Sequence, residues 1–205
     1  MSWLIKPLPD NPDFKRTYVL DSNIWFFILV NSLDEPRPEE EKYRNFLYKF
    51  GKKCVKQGPI VKLPCFIFSE VLNRILRGIF YPKFKDKVNW SDPKYNYIEP
   101  NHRYKKVYKA SSEYIDDYKK VISDFKAFEV FYDFQNDGIE SILDKANLDD
   151  VVKTKLDFAD YLLVKFAKNN DYVLVTDDSD FLVEDVEILT LNAKLISAAK
   201  ARIKN

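Results

Sequence analysis

The strongest restriction on the fold comes from a helix-to-strand unit whose two ends are rich in carboxylates. Residues 156–181 read LDFADYLLVKFAKNNDYVLVTDDSDF. Apolar residues recur from Ala159 to Ala167 at the i, i+3, i+4, i+7 and i+8 spacing, which predicts an amphipathic helix with one face in the core. An Asn-Asn pair then ends the helix, and the apolar run Tyr172–Val175 predicts a strand that is buried on both faces. An α/β fold is therefore expected.

The acids of this unit lie at the start of the helix and at the end of the strand. Asp157 and Asp160 are three residues apart outside the apolar stripe, so they project from one side of the helix. The strand is followed directly by TDDSD at residues 176–180. One interpretation is a site, because α/β proteins collect ligands at the carboxyl ends of parallel strands. The other is a solvated turn that caps the next helix, since Asp and Ser are common in turns.

Clustered carboxylates predict a bound cation. Like charges raise one another's pKa unless a cation neutralises them, and hard oxygen donors favour Mg2+ or Mn2+. Two cysteines, Cys54 and Cys65, and the single His102 suit neither a disulfide scaffold nor a zinc site. This cysteine usage is typical of reduced, cytoplasmic proteins.

Another acid follows a second predicted strand, TYVL at residues 17–20. Asp21 comes directly after it, and Ser22 and Asn23 precede an apolar run at 24–30. Ser22 or Asn23 would cap a helix there. Capping explains Asp21 less well, because a carboxylate at the end of a buried strand loses its hydration and needs a partner such as a metal.

The remaining segments predict an alternating fold. In chain order they are an irregular arm at 1–16, one amphipathic helix at 39–56 closed by Gly58, a strand at 60–63, a helix at 64–80, a long helical pattern at 103–134, a strand at 186–191 and a terminal helix at 192–203. Such alternation predicts a three-layer α/β/α fold with a mostly parallel central sheet.

The helix at 64–80 carries an acid on its polar face. Glu70, Asn73, Arg74 and Arg77 follow the i, i+3, i+4, i+7 spacing opposite an apolar line. A solvated face with a Glu70–Arg74 ion pair is the simple interpretation, worth about 0.2–0.5 kcal/mol. A site role for Glu70 depends on the other acids.

Length and charge complete the outline. The 205 residues, 46% of them hydrophobic, predict one domain with a mainly helical insertion at about 83–150. The net charge is only +1, but residues 83–109 contain eight basic and three acidic residues, and residues 133–160 contain eight acidic and three basic residues. Separate basic and acidic regions suit a protein that holds a polyanion and cations, or they attract each other. The longest apolar run, 24–30, is too short to cross a membrane, and no signal peptide precedes it.

The basic region also contains aromatic residues. Trp90, Tyr95 and Tyr97 lie among lysines, a mixture that fits single-stranded RNA, where phosphates meet cations and bases stack on rings. An ordinary amphipathic hairpin explains the same composition. If the first interpretation holds, the predicted nucleic-acid contacts are Arg103, Lys105, Lys106 and Lys109.

Four separated motifs together resemble the PIN domain family, metal-dependent nucleases that include the toxin ribonucleases of type II toxin–antitoxin modules. The motifs are VLDSN at 19–23, SEVLN at 69–73, DFAD at 157–160 and LVTDDSDF at 174–181. The resemblance covers about 17–80 and 155–192 and leaves about 83–150 unmatched. This long insert departs from the short toxins of the family.

The resemblance implies a set of site residues. Its catalytic and metal-binding acids would be Asp21, Glu70, Asp160 and Asp178. Asp157 and Asp180 would be further metal ligands, while Asn23 and Thr176 would orient carboxylates. Asp177 and Asp178 are adjacent, so the fourth acid could be either.

The implied function is Mg2+- or Mn2+-dependent hydrolysis of RNA, plausible for a cytoplasmic toxin with an antitoxin partner and no membrane association. Metal-bound water would attack the phosphodiester, which agrees with the lack of a Ser-His or Cys-His arrangement. The resemblance also implies a possible homodimer. Two alternatives stay open: a catalytically silent PIN-like binding module, and an aspartyl-phosphate-type phosphatase, although the latter generally has DxD where this chain has Asp21-Ser22-Asn23.

Overall fold

Parallel pairing of short apolar strands forms the centre of the protein. The structure, a computed structural model, describes residues 3–30, 37–136, 151, 154 and 156–203. Within these residues six strands form one sheet in the order β1-β6-β5-β2-β3-β4, and every neighbouring pair is parallel. Helices cover both faces, so the predicted three-layer α/β/α fold is confirmed.

Short strands and helices follow one another along the chain. The strands are β1 (Leu4–Pro7), β2 (Tyr18–Leu20), β3 (Val61–Pro64), β4 (Tyr132–Gln135), β5 (Val173–Val175) and β6 (Glu187–Thr190). The α-helices are α1 (Ser22–Leu29), α2 (Pro38–Tyr48), α3 (Gly51–Gln57), α4 (Cys65–Ile75), α5 (Tyr81–Lys87), α6 (Ser112–Ala127), α7 (Phe158–Asn169) and α8 (Ala193–Ile203). Two π-helical turns, Leu76–Phe80 and Tyr104–Tyr108, and two short 3-10 turns, Pro93–Tyr95 and Pro100–His102, complete the described elements.

The two central strands are entirely buried. All residues of β2 and β5 lie in the core, which explains why their sequences are continuous apolar runs without alternation. Their register pairs Leu20 with Val175. The chain leaves β2 toward β3 on one side while β5 and β6 lie on the other, so a topological switch point lies between β2 and β5.

Both edge strands were missed in the sequence. Residues 1–16 were predicted to be an irregular arm, but Leu4–Pro7 pairs with β6 along the sheet edge. Residues 103–134 were predicted to be helical, but Tyr132–Gln135 pairs with β3 at the opposite edge. A proline is tolerated on an edge strand because one side of its backbone has no ladder partner, and such short strands leave little periodicity to detect.

Helix boundaries also differ from the predictions. The single helix predicted at 39–56 is two helices, separated at the buried Phe50, and Gly58 ends the second one with φ 87° as expected for a helix-terminating glycine. The helix predicted at 64–80 leaves α-helical geometry after Ile75, passes through the first π-helical turn and continues as α5.

The predicted insertion at 83–150 is partly integrated into the fold. It contains α6, which packs Val121 and Phe125 into the main core, and the sheet strand β4. Residues 137–150 lie outside the described part of the chain. Among the described helices, none has the length and apolar character to cross a bilayer.

Candidate active site

The candidate site begins at the switch point between β2 and β5. Because Leu20 and Val175 are paired, the next residues, Asp21 and Thr176, emerge side by side at the carboxyl edge of the sheet. The Asp21 amide donates to the Val175 carbonyl at 3.0 Å, which extends the pairing by one bond. In this class of fold the crevice at such a point is where ligands bind.

Asp21 is an ionisable group held in the core. Its exposed fraction is 3%, and its carboxylate accepts from the Ser22 amide at 2.5 Å and from the Thr176 hydroxyl at 2.7 Å. Burial raises the pKa of Asp21 to about 7; the two hydrogen bonds oppose this, and the charges of Glu70 and Asp178 add to it. Asp21 is also the N-cap of α1, so neither Ser22 nor Asn23 takes the capping role predicted for it.

Glu70 reaches the same region from α4. The Ser22 hydroxyl donates to its Oε1 atom at 2.7 Å. Ser22 therefore links two acids that are far apart in sequence, with its amide on Asp21 and its hydroxyl on Glu70. The structure does not form the ion pair that the sequence suggested between Glu70 and Arg74. The Arg74 guanidinium instead lies 4.4 Å from the ring centre of Phe26.

Asp160 is electrostatically coupled to the other acids. Burial raises its pKa to about 8, and the next largest causes are the charges of four other carboxylates: Asp21, Asp157, Asp178 and Glu70. Asp157 caps α7, its Oδ1 accepting from the Asp160 amide at 2.9 Å. Asp157 therefore has a structural role as a helix cap. The resemblance had implied that it is an additional metal ligand.

The three acids in the loop after β5 have different surroundings. The charge of Asp178 contributes to the raised pKa of both Asp21 and Asp160. Asp177 instead accepts from the buried Tyr43 hydroxyl at 2.8 Å. Asp180 is exposed, and its amide donates to Asp178 Oδ1 at 2.9 Å. Of the two adjacent acids, Asp178 is therefore the one within the cluster. We call Asp21, Glu70, Asp160 and Asp178 the acidic cluster.

Thr176 connects the cluster to its loop. Its hydroxyl donates to Asp21 and accepts from the Asp178 amide at 3.0 Å, and the residue is fully buried. Asn23 is placed differently: among the described hydrogen bonds of Asp21 none involves it, and its Oδ1 atom is buried without a hydrogen-bond partner.

The sequence did not predict three residues that hold the site in place. Ser22 was considered only as a cap. Tyr43, from α2, donates to Asp177 and accepts from the Leu191 amide at 2.7 Å. Asn192 donates to the Asp177 carbonyl at 2.7 Å. These partners come from distant segments, and no local spacing marks them.

The donor chemistry suits a hard divalent cation, although the carboxylates are not drawn together around one. Within the described ranges, no three acid, imidazole or thiol side chains are arranged to hold a metal ion. Burial raises the pKa values of Asp21 and Asp160, and the mutual repulsion of the carboxylates raises them further. Oxygen donors with excess negative charge are what Mg2+ and Mn2+ prefer. A cation placed among them would remove this repulsion.

The basic residues predicted to bind nucleic acid lie against aromatic rings or at the protein surface. The Arg103 guanidinium lies 4.4 Å from the ring centre of Trp90, and Lys109 Nζ lies 5.9 Å from that of Tyr104. Lys105 and Lys106 are exposed. Rings and cations are therefore combined within the fold, as in an amphipathic packing arrangement, while part of the charge is left at the surface.

No protein-family model matches the chain, and no curated protein and no solved structure is significantly similar to it.

Proposed function

We propose that this protein is a divalent-metal-dependent ribonuclease of the PIN domain type. The observation that carries the proposal is the electrostatic coupling of Asp160 to Asp21, Glu70 and Asp178. These acids come from four separate segments, and two of them, Asp21 and Asp178, follow the strands that end at the carboxyl edge of the sheet beside its switch point. A solvated turn would not bring acids from four segments together.

The acidic cluster would hold Mg2+ or Mn2+. A bound ion would supply a water activated near neutral pH and would neutralise charge on the phosphate. The residues of the chain itself fix the acids: Ser22 and Thr176 hold Asp21, and Ser22 holds Glu70. A bound ion would draw the four carboxylates closer together, which the loss of their mutual repulsion would favour.

One observation favours a second candidate, a catalytically silent PIN-like binding module. The described residues contain no ready-made metal-ligand group, which is what such a module would also show. The phosphatase alternative is weaker, because its nucleophile would be Asp21. That carboxylate is 3% exposed, and both of its oxygens already accept hydrogen bonds.

A toxin role is a narrower proposal that rests on the nuclease. It implies an antitoxin that covers the acidic cluster, and a cytoplasmic location. Homodimer formation is a further part of this proposal, and each of these stays a prediction.

The test is RNA cleavage by the purified full chain with Mg2+, with Mn2+ and with EDTA. We expect cleavage only with a metal, and its loss in Asp21→Asn and Asp178→Asn. The matched control is Asp86→Asn, which removes an exposed acid from α5 and should cleave as the wild type does. Metal-independent cleavage, or equal cleavage by all four proteins, would contradict the proposal. No cleavage by the folded wild type would favour the silent module.

A further inference from the structure

A cavity of about 370 Å³ lies beside the first π-helical turn, Leu76–Phe80. Its lining residues are Arg77, Tyr81, Asn101, His102, Tyr104 and Lys105. The volume falls within the range of about 300–1,000 Å³ that is common for small-molecule sites. We call this the Tyr104 cavity.

The lining has the chemistry of a nucleotide site. Two cations, Arg77 and Lys105, are present, and none of the six lining residues is acidic. The Arg77 guanidinium lies 4.9 Å from the ring centre of Tyr104, and the Tyr81 and Tyr104 rings meet edge to face at 5.1 Å. Nucleobases stack on tyrosine rings and on guanidinium planes, while phosphates pair with arginine and lysine.

The backbone around the cavity is unusual. Arg77 belongs to the first π-helical turn, Leu76–Phe80, and Tyr104 and Lys105 belong to the second, Tyr104–Tyr108. π-Helical turns are rare and occur frequently at functional sites, because the extra residue per turn changes where the side chains point. Two of them therefore supply three of the six lining residues.

The cavity is also aligned with the acidic cluster. Glu70 and Arg77 are seven residues apart on one continuous helical segment, roughly 10 Å apart along the axis. Between them lies Arg74, one turn after Glu70.

The neighbouring helix α1 contacts this segment at matching positions, one turn apart on each helix. Ser22 of α1 contacts Glu70 at 2.7 Å, and Phe26, one turn later, lies 4.4 Å from the Arg74 guanidinium. A row of side chains thus leads from the acidic cluster through Arg74 to Arg77.

From this arrangement we propose that the Tyr104 cavity binds a nucleobase of single-stranded RNA, while Arg74 and Arg77 bind the phosphates between that base and the acidic cluster. The inference deepens the proposed function and rests on it for the class of ligand. It assigns the cavity to a nucleotide flanking the one that is cleaved. Duplex RNA does not satisfy it, because its bases are stacked and paired.

The test is RNA binding in EDTA, where metal-dependent cleavage is absent. The probe is a fluorescent single-stranded RNA of about 12 nucleotides, whose affinity for the full chain is measured by anisotropy at several salt concentrations. Arg74→Ala and Arg77→Ala should each weaken binding and reduce the salt slope by about 0.7, the value for one lost phosphate contact. Arg202→Ala, which removes an exposed arginine from α8, is the matched control and should leave both unchanged.

An abasic RNA of the same length tests the cavity without altering the protein. The wild type should bind this abasic strand on the order of ten-fold more weakly than the normal strand. That is the loss expected when the one base that occupies the cavity no longer stacks there. Lys105→Ala removes a positive charge without removing a ring. It should therefore weaken binding of the normal RNA and of the abasic RNA by the same factor.

The outcomes separate this inference from the proposed nuclease. Binding that depends on Arg74, Arg77 and the bases supports the subsite even if no cleavage is found. Cleavage with binding that is unchanged in both arginine variants overturns the subsite while the nuclease stands. Equal affinity for normal and abasic RNA overturns the base pocket, as does stronger binding of duplex RNA.

Discussion

The Thr176 hydroxyl donates to the buried carboxylate of Asp21 at 2.7 Å, joining the ends of two neighbouring strands that lie 155 residues apart in sequence. The same hydroxyl accepts from the Asp178 amide. One side chain therefore fixes the acid after β2 and the loop that carries the acid after β5.

Replacing Thr176 with valine should destabilise the protein by about 1–3 kcal/mol, because a buried acceptor and a buried donor lose their partner. The loss should be larger at pH 8.5 than at pH 5, since removal of the donor raises the pKa of Asp21 further and penalises the ionised form. Urea unfolding at both pH values measures this. Thr176→Ser keeps the hydroxyl and is the control. A larger loss in Thr176→Ser than in Thr176→Val would mean that packing of the methyl group matters more than the two hydrogen bonds.

In the absence of metal, stability should fall as the pH rises from about 4 to about 8. Asp21 and Asp160 have pKa values raised to about 7 and about 8, above the unfolded value of about 3.9. The folded state therefore holds these protons more tightly, and the stability they give is lost as the pH passes through the raised pKa values. For Asp21 the loss is on the order of 4 kcal/mol, from about 1.4 kcal/mol per pKa unit.

Urea unfolding in EDTA between pH 5 and pH 9 checks this slope. Asp21→Asn and Asp160→Asn should each flatten it, and Asp86→Asn should keep it. Stability that rises over this range, or identical slopes in all four proteins, would show that the pKa values of Asp21 and Asp160 are not raised in the folded protein.

Added Mg2+ or Mn2+ should raise the Tm of the wild type at pH 7.5. A ligand that binds only the folded state stabilises it by about 2.7 kcal/mol at a hundred-fold excess over Kd. The rise in Tm should be much smaller in Asp160→Asn and Asp178→Asn. In Asp86→Asn it should be as large as in the wild type. Ca2+ serves as a second probe of oxygen-ligand binding. Equal Tm shifts in every protein would place any bound ion outside the acidic cluster.

Tyr43→Phe should reduce cleavage without altering RNA binding in EDTA. The hydroxyl joins Asp177 to the Leu191 amide, so its loss frees the loop that positions Asp178. The variant should also lose about 1–3 kcal/mol of stability, because the Leu191 amide is left without its acceptor. Asp177→Asn retains an acceptor for Tyr43 and should cleave closer to the wild-type rate. Full activity in Tyr43→Phe would show that the loop holds its position without this bond.

Much of the fold could be predicted because its central strands are continuous apolar runs. Tyr18–Leu20 and Val173–Val175 carry a strong local signal, and each is followed by an acid at the edge where parallel strands end. The edge strands Leu4–Pro7 and Tyr132–Gln135 carry almost none. Each is four residues long and depends on a single neighbouring strand, so tertiary pairing, not local pattern, makes it a strand.

The site divides in the same way. Asp21, Asp160 and Asp178 were predicted because each lies just after a strand or in the first turn of a helix, contexts that a sequence displays, and Glu70 was predicted from the resemblance of SEVLN. The bonds that arrange them were not, because Ser22–Glu70 and Tyr43–Asp177 join segments 48 and 134 residues apart. The direction of Asp178 relative to Asp177 depends on these bonds, which is why both remained candidates from sequence. The π-helical turns were also missed, because no residue pattern distinguishes them from α-helix.

The most direct measurement is anomalous diffraction from crystals of the full chain soaked in Mn2+. It locates the ion itself, independently of any RNA substrate. The account predicts a peak with oxygen ligands drawn from Asp21, Glu70, Asp160 and Asp178, and its absence from crystals of Asp178→Asn. A peak elsewhere on the protein, or none among these carboxylates at millimolar Mn2+ and pH 8.5, would contradict it.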